Sequence, residues 1–154
     1  MGNWVIGLID CVQGAVASAL NLRAPIAMSD VSNQLKKRTM RFALDACALI
    51  RELPDFEPGP RARHQLARAA TGVAFNYRAT CRARFHAEFT SCMGVVAEEA
   101  DESQGWLEFV EAAELLKSAA VTRLIREATE LAAIMSAAYG TARYNQKTKG
   151  KRRP

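Results

Sequence analysis

The chain has 154 residues, 49% of them hydrophobic, which is enough material for one domain with a real core. Alanine is abundant, glycine and proline are sparse and β-branched runs are absent, so the composition argues against a sheet-rich fold and for helix nearly throughout. A net charge of +5 and a pI near 9.3 leave room for an anionic partner, although a merely basic soluble domain would look the same.

Residues 4–20 form an apolar run that ends in Ala17-Ser18-Ala19, a sequence with a faint likeness to a signal-peptidase site. No Lys or Arg precedes the run, and Asp10, Gln13 and Gly14 interrupt it, so it fits neither a leader nor a membrane span. Met28-Ser29-Asp30 reads as a fresh start. Residues 1–27 are therefore expected to be an N-terminal extension, either an over-extended gene start or a loosely attached appendage.

The first helix is expected to begin near residues 29–32, any of whose polar side chains can cap it, and to run to Leu53. Leu35, Phe42, Ala46, Leu49, Ile50 and Leu53 mark its buried stripe. Pro54 stops it, and residues 54–60 are too proline-rich to be anything but a loop, with Phe56 expected to pin that loop to the bundle end. A second helix is predicted over residues 61–80, with Leu66, Ala69, Ala70, Val73, Ala74 and Tyr77 inward and Gly72 allowing close approach of a neighbour. After a turn at residues 81–85, a third helix is predicted over residues 84–111. Its inward set is Phe85, Phe89, Met93, Val96, Ala100, Trp106 (or Leu107) and Val110. Ser118 can cap a fourth helix striped by Val121, Leu124, Ile125, Ala128, Leu131, Ala132, Met135 and Ala138, which fades near Tyr144. The Lys/Arg-rich residues 145–154 are expected to be a disordered basic tail. The fold class that follows is all-α: an up-down-up-down antiparallel four-helix bundle over residues 28–144.

The charges are segregated. Residues 61–86 carry arginines and no acid, and residues 98–114 carry acids and no Lys or Arg. In a hairpin of the second and third helices, Arg78 and Arg82 are expected to meet Glu98, Asp101 and Glu102 in a structural charge network, which specifies register more than it stabilises. Lys36, Lys37, Arg41, Arg61, Arg63, Arg68 and Arg84 are then free to form a phosphate-binding surface, since the guanidinium fork suits phosphate as well as carboxylate. A solvated basic face is the plain alternative. No helix-turn-helix or aromatic-interleaved basic motif accompanies these residues, which argues against base-specific reading. Asn76 and Tyr77 read as a packed polar junction.

No catalytic constellation emerges. Bundle metal sites take Glu from several helices together with Glu-x-x-His pairs, and His64 and His86 have no such spacing, so neither a metal nor a cofactor is expected. The four cysteines lack C-x-x-C pairing and a nearby His pair, which points to reduced thiols and a cytoplasmic protein. Cys81 lies close in sequence to Arg78, Arg82 and Arg84, which could lower its pKa, but no base stands beside it for catalysis.

Two blocks carry a family resemblance. Residues 65–71 (QLARAAT) with 76–84 (NYRATCRAR), and Glu88-Phe89 with 98–103 (EEADES) and 106–108 (WLE), resemble a bacterial four-helix-bundle family. It includes the ribosomal-RNA intervening-sequence proteins and the accessory variability determinant of diversity-generating retroelements. The similarity covers roughly residues 28–144. Residues 73–78 depart from the Pro and Ala-Glu-Gly pattern of many members, which places this chain on a different branch. The resemblance implies a ring-forming, often pentameric homo-oligomer. RNA, DNA or a reverse transcriptase is the partner it implies, and a membrane is not. The combined expectation is a non-enzymatic oligomer that binds nucleic acid or a nucleoprotein. A purely structural oligomer is the rival, and an enzyme built on the carboxylate cluster comes third.

Overall fold

Each apolar stripe becomes one helix in the computed structural model, which describes residues 28–150. Helix α1 spans Met28–Leu49 and ends in a 3-10 turn, Ile50–Glu52; α2 spans Gly59–Thr80, α3 His86–Ala112 and α4 Ala119–Gly150. The extension expected at residues 1–27 lies outside the described residues, as do residues 151–154.

Neighbouring helices run antiparallel. Arg63, early in α2, bonds the carbonyls of Leu53 and Pro54 just after α1, while Cys81, after the end of α2, feels Ser32 and Lys36 near the start of α1. Along α2 and α3, Arg68 reaches Glu102 while Gly72, one turn later, lies under Glu99. Between α3 and α4, Gly94 faces Tyr139 and Glu111 meets Thr122. Arg38 of α1 meets Glu127 and Glu130 of α4, and Asp45 lines a cleft with Ala119 and Thr122. The bundle is thus up-down-up-down, and the α1–α4 seam that closes it is the least extensive of the four.

The core is filled by Leu35, Phe42, Leu66, Val73, Met93, Val96, Leu107, Val110, Leu131 and Met135, all essentially inaccessible. Burying a side chain of this size stabilises by roughly 1.5–3 kcal/mol relative to leaving it exposed. The expected stripes of α1, α2 and α4 are buried apart from Ile50 and Ile125, which are partly buried.

Helix α3 departs from its expected face. Met93, Val96, Ala100, Ser103, Leu107 and Val110 alternate steps of three and four residues, so Leu107 is fully buried and Trp106 only packs against the rim of the core. Ser103 disguised the stripe: its hydroxyl donates to the Glu99 carbonyl at 2.7 Å, which lets a polar residue occupy a core position. Phe85 is 53% exposed, because it adopts an extended conformation ahead of the helix. Phe89 is partly buried.

The connections also differ from expectation. Phe56 is 69% exposed and pins nothing. The 53–58 loop is instead held by Arg63, whose Nη2 donates to the carbonyls of Leu53 and Pro54 and to Asp55. A Cβ on Gly59 would lie 2.0 Å from the Pro54 carbonyl oxygen, so only glycine fits there. Gly59 and Pro60 begin α2 rather than end the loop, since a first-turn proline needs no N–H partner. At the far end of α3, Glu114 adopts φ 54° and the Leu115 N–H returns to the Val110 carbonyl at 3.1 Å, closing the helix with a left-handed residue. Ser118 precedes α4, but its hydroxyl is buried without a hydrogen-bond partner and caps nothing. Residues 29–32 lie inside α1 rather than at its cap. Helix α4 continues through residues 145–150, where the tail was expected to be disordered; no proline interrupts them, and each added residue extends an existing helix. No helix among the described residues is long and apolar enough to cross a membrane.

Candidate nucleic-acid interface

Helix α2 has no acidic residue and α3 has no Lys or Arg, yet a single α2 arginine bridges them. Arg68 contacts Glu99 at 3.3 Å and donates to Glu102. The hydrogen bond with Glu102 raises the Arg68 pKa first, with both carboxylates adding Coulomb attraction. Burial raises the Glu99 carboxyl above its ordinary range, against the pull of Arg68, because its side chain lies over Gly72. The expected network therefore keeps Glu102 but pairs it with Arg68, and Glu99 takes part where Glu98 and Asp101 were expected. In an antiparallel hairpin, residues equally far from the turn meet. Glu99 and Glu102 stand level with Arg68, whereas Arg78 and Arg82 lie close to the turn, far from Glu98, Asp101 and Glu102. Counting outward from the turn would have found Glu99 and Arg68.

Arg78 joins the basic start of α1 instead. Lys36, Lys37, Arg41 and Arg78, with Met40 and Leu44, line a groove of about 330 Å³ along the α1–α2 seam. No carboxylate lines it. Asp45, one turn along α1, pairs with Arg41 at 3.0 Å from outside the groove. Lys36 is in weak contact with Asn33, and Lys37, Arg41 and Arg78 are exposed. Leu44 and Phe75, which is one turn before Arg78, add apolar surface at 60% and 61% exposure. Four neighbouring cations repel one another, and a polyanion lying along the groove would relieve that repulsion while releasing its own counterions.

The other expected phosphate ligands do not assemble with this groove. Arg63 holds the 53–58 loop, and Arg68 holds α3. Arg84 pairs with Glu88 at 3.4 Å and lies 5.7 Å from the centre of the Phe85 ring. Glu88 is held below the ordinary carboxylate range, first by the Arg84 backbone N–H and then by its guanidinium. Arg61 and Arg82 are exposed, at the start of α2 and in the turn after it. Of the seven expected ligands, then, Lys36, Lys37 and Arg41 come together.

Two further features bear on chemistry. Burial pushes the Cys81 thiol up, outweighing Lys36, the Tyr77 and Ser32 hydroxyls and Arg78, which pull it down. The lowered pKa suggested by its basic sequence neighbours is thus reversed. Among the described residues, no group of His, Cys, Asp and Glu is arranged to hold a metal ion. Sequence reasoning gave no role to Arg38, which reaches across the bundle to Glu127 and Glu130, nor to Arg123 and Arg126 on the same seam. Pairing the first helix with the last is what would have revealed them.

Residues 32–137 match the sequence profile of a family described as 23S rRNA-intervening sequence protein. No curated protein matches the chain. A crystal structure of a protein of unknown function from the S23 ribosomal protein family of Bacteroides thetaiotaomicron is similar, with a TM-score of 0.62 and 21% identity. The similarity covers 71% of this chain and 97% of that one, and it supports the bundle fold alone.

Proposed function

The chain belongs to the 23S rRNA-intervening sequence protein family, and from that premise we propose that it is a non-enzymatic, self-assembling bundle that binds a nucleic-acid backbone through the α1–α2 groove. The observation that carries this reading is the convergence of Lys36, Lys37, Arg41 and Arg78 on one acid-free groove. Phosphate contacts need little more than such a groove, and they do not read bases. The family description makes RNA the first nucleic acid to test. DNA or a reverse transcriptase is the partner that the retroelement resemblance suggests.

Self-assembly rests on complementary flanks. The α1–α2 face is basic with exposed Leu44 and Phe75, and α3 is acidic with exposed Val95 and Phe109. Such flanks can pair head-to-tail and close into a ring, a pentamer by the family resemblance. The rival reading, a purely structural oligomer, draws on the same flanks and leaves the groove without a ligand.

RNA binding measured by fluorescence anisotropy across a salt series separates the two. Binding should weaken as salt rises, and the triple variant Lys36→Gln/Lys37→Gln/Arg78→Gln should flatten the log–log slope by about 2–3, at roughly 0.7–0.9 per lost phosphate contact. Equal affinity and slope in the variant would eliminate the groove as the binding surface. Light scattering at low and high salt tests assembly, and a monomer at micromolar concentration in both would end the ring reading.

A further inference from the structure

Helix α1 has a second flank, which packs along α4 across a cleft of about 710 Å³. Arg38, Arg41 and Asp45 line it from α1, and Arg123, Arg126 and Glu127 line it from α4. The carboxylates are already matched. Arg38 Nε contacts Glu127 at 2.6 Å and its Nη2 contacts Glu130 at 2.5 Å, while Arg41 holds Asp45 at 3.0 Å. Arg123 and Arg126 pair with no acid among the described residues, and they lie three residues apart on the exposed side of α4 near its start.

Two more features bear on the charge of the cleft. Arg38 Nη1 is buried beneath the cleft wall, out of a ligand's reach, and contributes only its positive charge. The first turn of α4, which contains no acidic residue, opens on the same cleft at Ala119 and Thr122 and adds the positive end of the helix dipole. Phe42 and Leu124 give the open cleft an apolar wall.

We infer that the α1–α4 cleft binds a phosphate monoester, gripped by Arg123 and Arg126 beside the first turn of α4. Two guanidiniums without acid partners match a dianion, and guanidinium forks suit phosphate geometry. Glu127 and Glu130 at the same seam oppose a long polyanion, which favours a compact ligand over a strand laid along the cleft. The ester can come from a free mononucleotide or from the 5′-phosphate at the end of a nucleic-acid strand. The site adjoins the α1–α2 groove, with Arg41 lining both, but its gripping arginines lie on α4, outside that groove.

Calorimetric titration at constant ionic strength tests the site with adenosine 5′-monophosphate, with adenosine, and with a short oligonucleotide bearing either a 5′-phosphate or a 5′-hydroxyl. The monophosphate or the 5′-phosphorylated strand should bind saturably, and adenosine should not. Arg123→Gln/Arg126→Gln should weaken that binding by about tenfold or more. Both residues are exposed, so an unchanged thermal midpoint will show that the double variant is folded. Lys36→Gln/Lys37→Gln should leave monophosphate binding intact, which separates this site from the α1–α2 groove. A 5′-phosphate advantage that vanishes in the arginine variant identifies the strand end as the source; monophosphate binding without that advantage identifies the free nucleotide. No saturable binding of either phosphate, or equal binding in the arginine variant, overturns the inference.

Discussion

Helices α2 and α3 are neighbours of opposite sign, and the contrast lies in how little of that charge they use on each other. Arg68 alone bridges to Glu99 and Glu102, while Arg61, Arg78, Glu98 and Asp101 make no ion pair within the described residues. The α1–α4 seam is the reverse case. It is short and mixed in charge, and its carboxylates are paired through Arg38 and Arg41. Segregated charge on adjacent helices therefore does not imply internal pairing. It leaves two flanks of opposite sign available to other molecules, and the apolar seam between the helices supplies the cohesion.

The sharpest test of that division is Leu107→Ala, which empties a core position on the acidic helix and should cost roughly 2–5 kcal/mol in a urea unfolding experiment. Trp106→Ala on the same helix should cost less, because that ring only rims the core. The reverse order would move the inward face of α3.

A smaller effect distinguishes the two kinds of arginine. Arg38→Ala breaks the cross-bundle pairs and should cost about 1–3 kcal/mol, discounted toward the lower end because Glu130 is half exposed. Arg78→Ala should change stability by less than about 0.5 kcal/mol, as for an exposed residue with no partner to lose. Equal losses would mean that the groove arginine is structural after all.

The smallest effect is one of pH. Burial raises the Glu99 carboxyl, so the folded chain keeps that proton to higher pH than the unfolded chain does. Its contribution is therefore most favourable at low pH and declines as pH rises from the ordinary carboxylate range through the raised value. Glu88 has the opposite sign: its lowered pKa stabilises above the ordinary range, and that contribution is lost as pH falls. Glu99→Gln should remove the decline on the upper side of the acid range and spare the loss on the lower side. A melting profile against pH that matches wild type would show that burial does not hold the Glu99 proton.

The bundle was legible because apolar spacing of three and four residues survives without structural context: Leu35, Phe42, Leu66, Val73, Val121 and Met135 all lie where that spacing puts them. The site was less so. Ser103 broke the stripe of α3 by satisfying its hydroxyl within its own helix, and the larger Trp106 drew the reading one residue away. Arg78 went to the wrong partner because opposite charge suggested a pair that hairpin register forbids. The cleft that holds Arg38, Arg123 and Arg126 depends on contact between the first and last helices, and no local pattern announces it.

The modest extent of the α1–α4 seam carries over into kinetics. The other three seams join helices that follow one another through short connections, so their loop-closure cost is small and their contact order is low. Only α1 against α4 spans the sequence, with Arg38 meeting Glu127 at a separation of 89 residues. Helices α2, α3 and α4 can therefore condense as consecutive hairpins before that long loop is closed, so the docking of α1 onto α4 is expected late in folding.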